Sequence, residues 1–470
     1  MAEMPLWTSA EIVAATGGVL SATPAAALNG VSIDSRTIAP GDIYVAIKGE
    51  RLDGHDFIAA SLKAGAGLAI GSAITAEMRA AGPVLQVADP LKALEDMGRA
   101  ARARSKARVI AVTGSVGKTS TKEALKLAFS ASGATHASSA SFNNHWGVPL
   151  SLARFSPAMA YGIFEIGMNH AGEITPLVNM ARPHVAIITT IAPSHLGHFN
   201  SLADIADAKA EIFSGVEPGG HAVINRDTPF FDHLASAARA AGIANIVSFG
   251  KHEASDVRLS RIKLHGECSC ITADVLGEET IYKLGAPGEH LALNSLAVLA
   301  ALKLAGADLA RGALALAASE PAKGRGVRKR LHARGGEILL IDESYNANPT
   351  SVRAALALLK QAKGRKIAVL GDMLELGEHA PAMHAELAEA VDEAGVDVLY
   401  AAGPLMAALW EKTPPARRGL HAGKSEDLRD ALLGALRAGD TVMIKGSLGS
   451  RMGPLVDAIS THFAPAGKDA

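Results

Sequence analysis

The feature that most constrains the fold is a change of period across one glycine-rich junction. Residues 108–113, R-V-I-A-V-T, form a short β-branched apolar run, and beyond Lys118 the apolar residues fall at Leu125, Ala128 and Phe129, the spacing of one helix face. The loop between them, G-S-V-G-K-T-S at 114–120, is therefore a strand-to-helix turn. Apolar β-rich runs alternate with alanine-rich helical stretches along most of the chain, the pattern of α/β units with largely parallel sheets. One series of strands is expected at 108–113, 162–166, 185–191 and 221–225, and a second at 338–342, 367–371, 396–402 and 441–445.

A chain of 470 residues accommodates roughly three domains of about 150 residues each. A short N-terminal unit gives way near Ala88 to a charged helix over 90–104, and a softer tract rich in Lys, Arg and Gly, 320–334, separates the two strand series. The expected domains are thus 1–88, 89–319 and 320–470. The charge balance, 46 basic against 47 acidic residues, gives no global attraction to nucleic acid or an anionic membrane, so any anion site must be local. The two cysteines, Cys268 and Cys270, are too few and too close for a disulfide framework or a zinc site, which fits a reducing cytoplasm. The N-terminus lacks the basic and apolar regions of a secretory signal, and the longest apolar run, 291–310, is broken by Asn294, Ser295, Lys303 and Asp308, so it reads as a buried helix and not as a membrane span. A cytoplasmic protein is expected, and nothing in the chain argues against a monomer.

The loop departs from the usual phosphate-binding pattern G-x-x-x-x-G-K-[ST], because Val112 stands at its first glycine and Gly114 comes two residues later. Gly114 and Gly117 still let backbone N–H groups, with those of Ser115 and Ser120, approach phosphate oxygens, and the helix N-terminus adds partial positive charge. Lys118 then reaches the β- and γ-phosphates of ATP, and the Thr119 hydroxyl serves Mg²⁺. The ordinary alternative is a glycine-rich turn with a solvated lysine. Glu165 closes Y-G-I-F-E at the carboxyl end of a strand, where open α/β sheets bind ligands; unaided it also reads as a cap. His195, in the loop after another strand, and Lys209, on a helix beginning near Ser201, read unaided as an exposed histidine and a solvated lysine.

The loop T-G-S-V-G-K-T-S, together with A-K-A-E-I-F around Lys209, S-F-N-N-H-W-G-V-P-L at 141–150 and G-E-H-L-A-L-N-S-L-A at 288–297, resembles the Mur ligases, which join a carboxylate to an amine using ATP. The resemblance covers nearly the whole chain. It implies a three-domain α/β architecture: an N-terminal UDP-binding domain, a central P-loop ATPase domain with a mainly parallel sheet, and a C-terminal Rossmann-like domain. It implies Mg²⁺ ligands at Thr119, Glu165, His195 and Lys209, with Lys209 carried as a CO₂-derived carbamate. It also places Ser35 and Arg36 on the UDP sugar, Asn143 and Asn144 on the muramoyl-peptide part, and Asn294 on adenine. Leu291 stands where the family usually has Asn. An arginine from G-R-G-V-R-K-R, Arg325 first and Arg330 second, would reach ATP; read alone, the segment is equally a solvated linker.

Within the family, I-D-E-S-Y-N-A-N-P-T-S at 341–351 and L-G-D-M-L-E-L-G at 370–377 resemble the branch that adds D-alanyl-D-alanine to UDP-N-acetylmuramoyl-tripeptide; a D-N-P-R signature of the tripeptide-forming branch is missing. On that resemblance Asp342 binds the ATP ribose, and Tyr345, Asn346 and Asn348 face the dipeptide. The competing readings are another Mur ligase, a folylpolyglutamate synthase-like ligase, and a P-loop ATPase switch. For the last, F-E-I-G is a poor Walker B strand.

Overall fold

The computed structural model of the chain describes residues 5–139, 141–194 and 196–463; His195 is not among them. Three sheets follow one another along the sequence. The first has five strands, in the order Val19–Leu20, Val84–Gln86, Leu68–Gly71, Asp42–Val45 and Gly30–Ser32, parallel except at the first pair.

Pro90–Arg104 joins this unit to the next. Asp89 caps the helix by accepting from Leu91 N and Lys92 N, proline occupies the first turn, and Ala93, Leu94, Met97 and Ala101 form its buried stripe. Gly98 lets the helix Gly147–Ala153 pack closely, since a Cβ there would stand 3.2 Å from Leu152 Cβ. The junction is fastened by polar contacts from both sides. Trp7 Nε1 donates to Ala153 O at 2.8 Å, Arg154 Nε to Val31 O at 2.6 Å, and the Arg104 guanidinium lies 4.0 Å from the Trp7 ring centroid. Arg102, buried, donates through Nε to Ala181 O at 2.7 Å.

The central sheet has nine strands. Arg108–Thr113 lies between Tyr161–Glu165 and Val185–Ile188, with His221–Asn225, Asn245–Gly250 and an antiparallel extension, Val257–Leu264, Ser269–Val275 and Glu278–Leu284, beyond the latter. The strand Arg108–Thr113 is buried on both faces. Val109 and Ala111 pack with Val178, Ile205 and Leu234, whereas Ile110 and Val112 pack with Leu125, Phe129, Leu296 and Leu299. The chain leaves this strand for the edge strand Thr135–Ala137, returns beside it at Tyr161–Glu165, and then crosses to its other side at Val185–Ile188. The order thus reverses at Arg108–Thr113, and the crevice at its carboxyl end is where such sheets bind ligands. The apolar run at 291–310 is realised as the helix Glu289–Leu304 against this sheet. Cys270 is exposed on a strand, and both cysteines are free. Among the described residues no helix is long and apolar enough to cross a membrane.

The third sheet has six strands in the order Val327–Ala333, Gly336–Glu343, Asp440–Lys445, Arg365–Gly371, Val398–Ala402 and Arg418–Ala422. All pairs are parallel except the hairpin formed by the first two. The soft basic tract is therefore corrected in part: Val327–Ala333 is an edge strand in full register with Gly336–Glu343. Of its basic side chains Arg330 is exposed, whereas Arg328 donates to Gly266 O and Lys329 Nζ to Ser460 Oγ at 3.1 Å.

Candidate functional site

A cavity of about 510 Å³ opens between the central and third sheets. Its central wall is the phosphate loop and the strand ends beside it; its third wall comes from 343–355 and Lys445. Glycine is required twice in the loop. Gly114 has φ +146 and a Cβ there would meet Thr189 Oγ1 at 1.9 Å; Gly117 has φ +90 and its Cβ would meet Asn294 Nδ2 at 2.3 Å. Both positions are in the left-handed region and both lie against a neighbour, so the glycines predicted to free the backbone are also fixed by packing. Asn294 is thereby brought directly over the loop. Lys118 Nζ donates to Gly114 O at 2.6 Å, and its pKa is lowered by burial, opposed by the nearby Glu165 carboxylate and reinforced by Arg325.

Glu165, 1% exposed, accepts at Oε1 from Asn143 Nδ2 at 2.7 Å and from Thr119 Oγ1 at 3.2 Å. Its Oε2 is buried and takes no hydrogen bond among the described residues, and the same holds for Ser115 Oγ and Thr113 Oγ1. A buried carboxylate oxygen left without a donor costs free energy unless a cation completes it, and a hard cation such as Mg²⁺ takes this oxygen set. Lys209, 1% exposed, sits close enough for Lys118 to act on it. Burial first, and the Lys118 charge second, push its pKa well below the usual lysine range. The Lys209 carbonyl accepts from Glu211 N at the helix end, and its side chain makes no hydrogen bond or ion pair among the described residues.

On the third wall, Arg325 lies 4.2 Å from the Tyr345 ring centroid, and Tyr345 Oη donates to Ser141 Oγ at 2.8 Å, spanning from the third sheet to the asparagine loop of the central unit. A second cavity of about 500 Å³ adjoins the first behind the phosphate-loop helix and shares Ser120, Leu291, Asn294 and Arg325 with it.

Three Mur ligase family models match the chain: the catalytic domain at 27–102, the middle domain at 112–302 and the glutamate ligase domain at 328–448. The chain is 32% identical over 453 residues, 96% of itself and 99% of the relative, to UDP-N-acetylmuramoyl-tripeptide--D-alanyl-D-alanine ligase of Rickettsia prowazekii. It belongs to the Mur ligase family. Among solved structures it is similar to MurF from Acinetobacter baumannii, with TM-score 0.85 and 31% identity over 97% of this chain and 99% of that one. It is also similar to the MurF ligase of Thermotoga maritima in complex with ADP, with TM-score 0.77 and 25% identity over 93% and 98% of the two chains.

This Mur ligase gathers Ser115, Gly117, Lys118, Thr119, Ser120, Asn143, Asn144, Glu165, Asn294, Arg325, Tyr345, Asn346 and Asn348 around one cavity. Not every expected residue is there. Asp342 is 3% exposed and does not line it; its Oδ1 accepts from Ser344 N at 3.1 Å and Ser344 Oγ at 2.6 Å, and the neighbouring Glu343 faces the cavity instead. Asp342, expected on the ATP ribose, is thus not among the lining residues of this cavity, since adjacent strand residues point to opposite faces. Arg330 lies in the edge strand, exposed, with Glu267 at 3.3 Å and Glu337 at 3.4 Å, so of the two arginines only Arg325 reaches the cavity. Ser35 and Arg36 form a turn in the first unit outside this cavity, where Arg36 forks onto Asp34 at 2.8 and 2.6 Å. His195 lies outside the described residues.

Two further polar residues on the third wall, Glu343 and Lys445, were not singled out from sequence. They sit in register on adjacent parallel strands, 3.2 Å apart. The available signal was a charged residue ending each of two apolar runs.

Proposed function

We propose that this chain joins the amine of D-alanyl-D-alanine to the terminal carboxylate of UDP-N-acetylmuramoyl-tripeptide, with ATP consumed, to give the pentapeptide precursor of peptidoglycan. The observation that carries the reading is the end-to-end match to a relative of that name, at 32% identity over 96% of the chain. ATP use is supported by the phosphate loop and by the ADP-bound structural relative. The first unit takes the UDP end, the central unit ATP, and the third brings the amine.

The tripeptide carboxylate attacks the γ-phosphate, giving an acyl phosphate and ADP; the dipeptide amine then attacks the acyl carbon and phosphate leaves. Such transfer is mostly positioning and charge neutralisation. Lys118 and the loop N–H groups hold the phosphates on the central side, Arg325 approaches from the third side, and Asn294 holds the adenine end, next to the second cavity. Asn143 orients Glu165 through its hydrogen bond. Closure between the two walls excludes water that would otherwise hydrolyse the acyl phosphate.

Thr119, Glu165, His195 and Lys209 are the residues that would hold Mg²⁺, the first two fitting it by the open Oε2 beside the threonine hydroxyl. When bound, Mg²⁺ neutralises phosphate oxygens. Lys209 is read here as a carbamate. Burial lowers the Lys209 pKa and so favours the uncharged amine, which is the form that adds CO₂: the N–C bond forms, one N–H proton leaves, and the side chain becomes an anion. We place the enzyme in the cytoplasm, as a monomer.

ADP release by the purified chain, measured with each substrate omitted in turn, tests the function. Release dependent on both the UDP-tripeptide and D-alanyl-D-alanine is expected. Release indifferent to both would indicate a P-loop ATPase, and release with another carboxylate and amine pair would indicate a different ligase.

A further inference from the structure

The dipeptide substrate of the proposed reaction carries a carboxylate that does not react, and a site that must hold it close to a buried acyl phosphate needs a cation for it. Three cations line the cavity. Lys118 belongs to the phosphate loop and Arg325 borders both cavities on the nucleotide side, whereas Lys445 stands on the third wall and lines the first cavity without reaching the second. Its side chain is 3% exposed. It ends the strand Asp440–Lys445 at the carboxyl edge of the third sheet, where ligands of such sheets bind.

An ammonium has three donors. Lys445 Nζ gives one to Glu343 Oε2 at 3.2 Å and one to Asn346 O at 3.0 Å, so among the described residues one remains. The two contacts hold the ammonium in place without exhausting it. The helix Pro349–Lys360 begins beside it, and Thr350 and Ser351 of its first turn line the same wall, adding the partial positive charge of a helix N-terminus.

We propose that Lys445 binds the C-terminal carboxylate of the incoming dipeptide, fixing the amine towards the acyl phosphate, with Glu343 as the positioning residue that holds Lys445. This rests on the proposed ligase function. It assigns acceptor specificity to the third wall: a dipeptide with a free carboxylate is preferred over the same dipeptide without one.

The test compares D-alanyl-D-alanine with D-alanyl-D-alanine amide, which keeps the same nucleophilic amine, as acceptors for the wild type and for Lys445→Met. The wild type should prefer the carboxylate in kcat/KM by roughly 10- to 100-fold, the range for one charged hydrogen bond in a buried site. In Lys445→Met that ratio should fall towards one. Because Lys445→Met leaves Glu343 without its partner, the ratio is also read in Glu343→Gln/Lys445→Met, where no lone buried charge remains, and the same collapse is expected. A ratio unchanged in the variants, or near one in the wild type, overturns the assignment of Lys445. A wild type that ligates neither acceptor overturns the ligase reading itself.

Discussion

The two walls of the cavity treat their polar groups in opposite ways. On the central wall, Ser115 Oγ and Glu165 Oε2 are buried without hydrogen bonds among the described residues; Thr113 Oγ1, outside the lining, is in the same state, and Lys209, also outside it, is buried with its pKa pushed well below the usual lysine range. On the third wall the motif residues answer one another. Asn348 caps the helix Pro349–Lys360 through a reciprocal pair with Ser351 at 2.8 and 3.0 Å, Lys445 pairs with Glu343, and behind them Asp342, outside the lining, takes both donors of Ser344. Buried polar groups left unmatched cost stability, whereas matched ones stabilise local structure. The central wall is thus built for a ligand that completes it, and the third wall is built to hold its own shape.

The comparison fails first at Lys118 if it is wrong. Lys118→Ala should lower kcat by at least about 10²–10³-fold, since the donor aimed at the migrating phosphoryl group is lost. Steady-state ADP release checks this, and a variant within tenfold of wild type would remove the loop from the chemistry.

Lys209→Ala should lower turnover by about 10–100-fold with an unchanged thermal melt, because its charge and not its packing is what the site uses. Acetate or formate, placed where the carbamate stood, should restore part of the activity. Full activity without any added acid would return Lys209 to a plain buried lysine.

The third wall should respond in stability. Asn348→Ala removes a capping pair and should cost about 1 kcal/mol, read as a lower denaturant midpoint, with little change in KM for ATP. A large loss of activity at unchanged stability would place Asn348 on the substrate.

The last effect lies outside both walls and calibrates them. His136, packed against Phe155 and Phe164 at 5.3 and 5.8 Å, has its pKa pushed down to about 4 by burial, from an ordinary 6.5. A base with a depressed folded pKa contributes stability fully above pH 6.5 and loses it as pH falls towards 4, with a slope of at most about 1.4 kcal/mol per pH unit. His136→Leu should flatten the stability curve of the chain in that window, and urea midpoints across it measure the change.

The central wall was legible in the sequence because its chemistry is local. The period change at 108–129 and the glutamate ending an apolar run are each contained in a few residues, and both became parts of one site. The third wall was less legible because its meaning lies in pairing. Glu343 and Lys445 are 102 residues apart and meet only because their strands are neighbours. Between Asp342 and Glu343, sheet orientation alone decides which side chain enters the cavity, and no local pattern states it. The edge strand Val327–Ala333 was hidden by its basic residues, two of which are tied to Gly266 and Ser460, far away in sequence.

The helix Pro90–Arg104 carries a last consequence. Fastened to both units by Arg102, Arg104 and the Trp7 contacts, it makes the first and central units a fixed caliper. Under the proposed function, one jaw grips the nucleotide sugar and the other presents the γ-phosphate, so the gap between them measures the peptide. A stem shorter by one residue falls short by about 3.3–3.6 Å, more than a reacting pair of atoms tolerates. Under the same function, the distance between the jaws selects the stem by its length before any side chain is read.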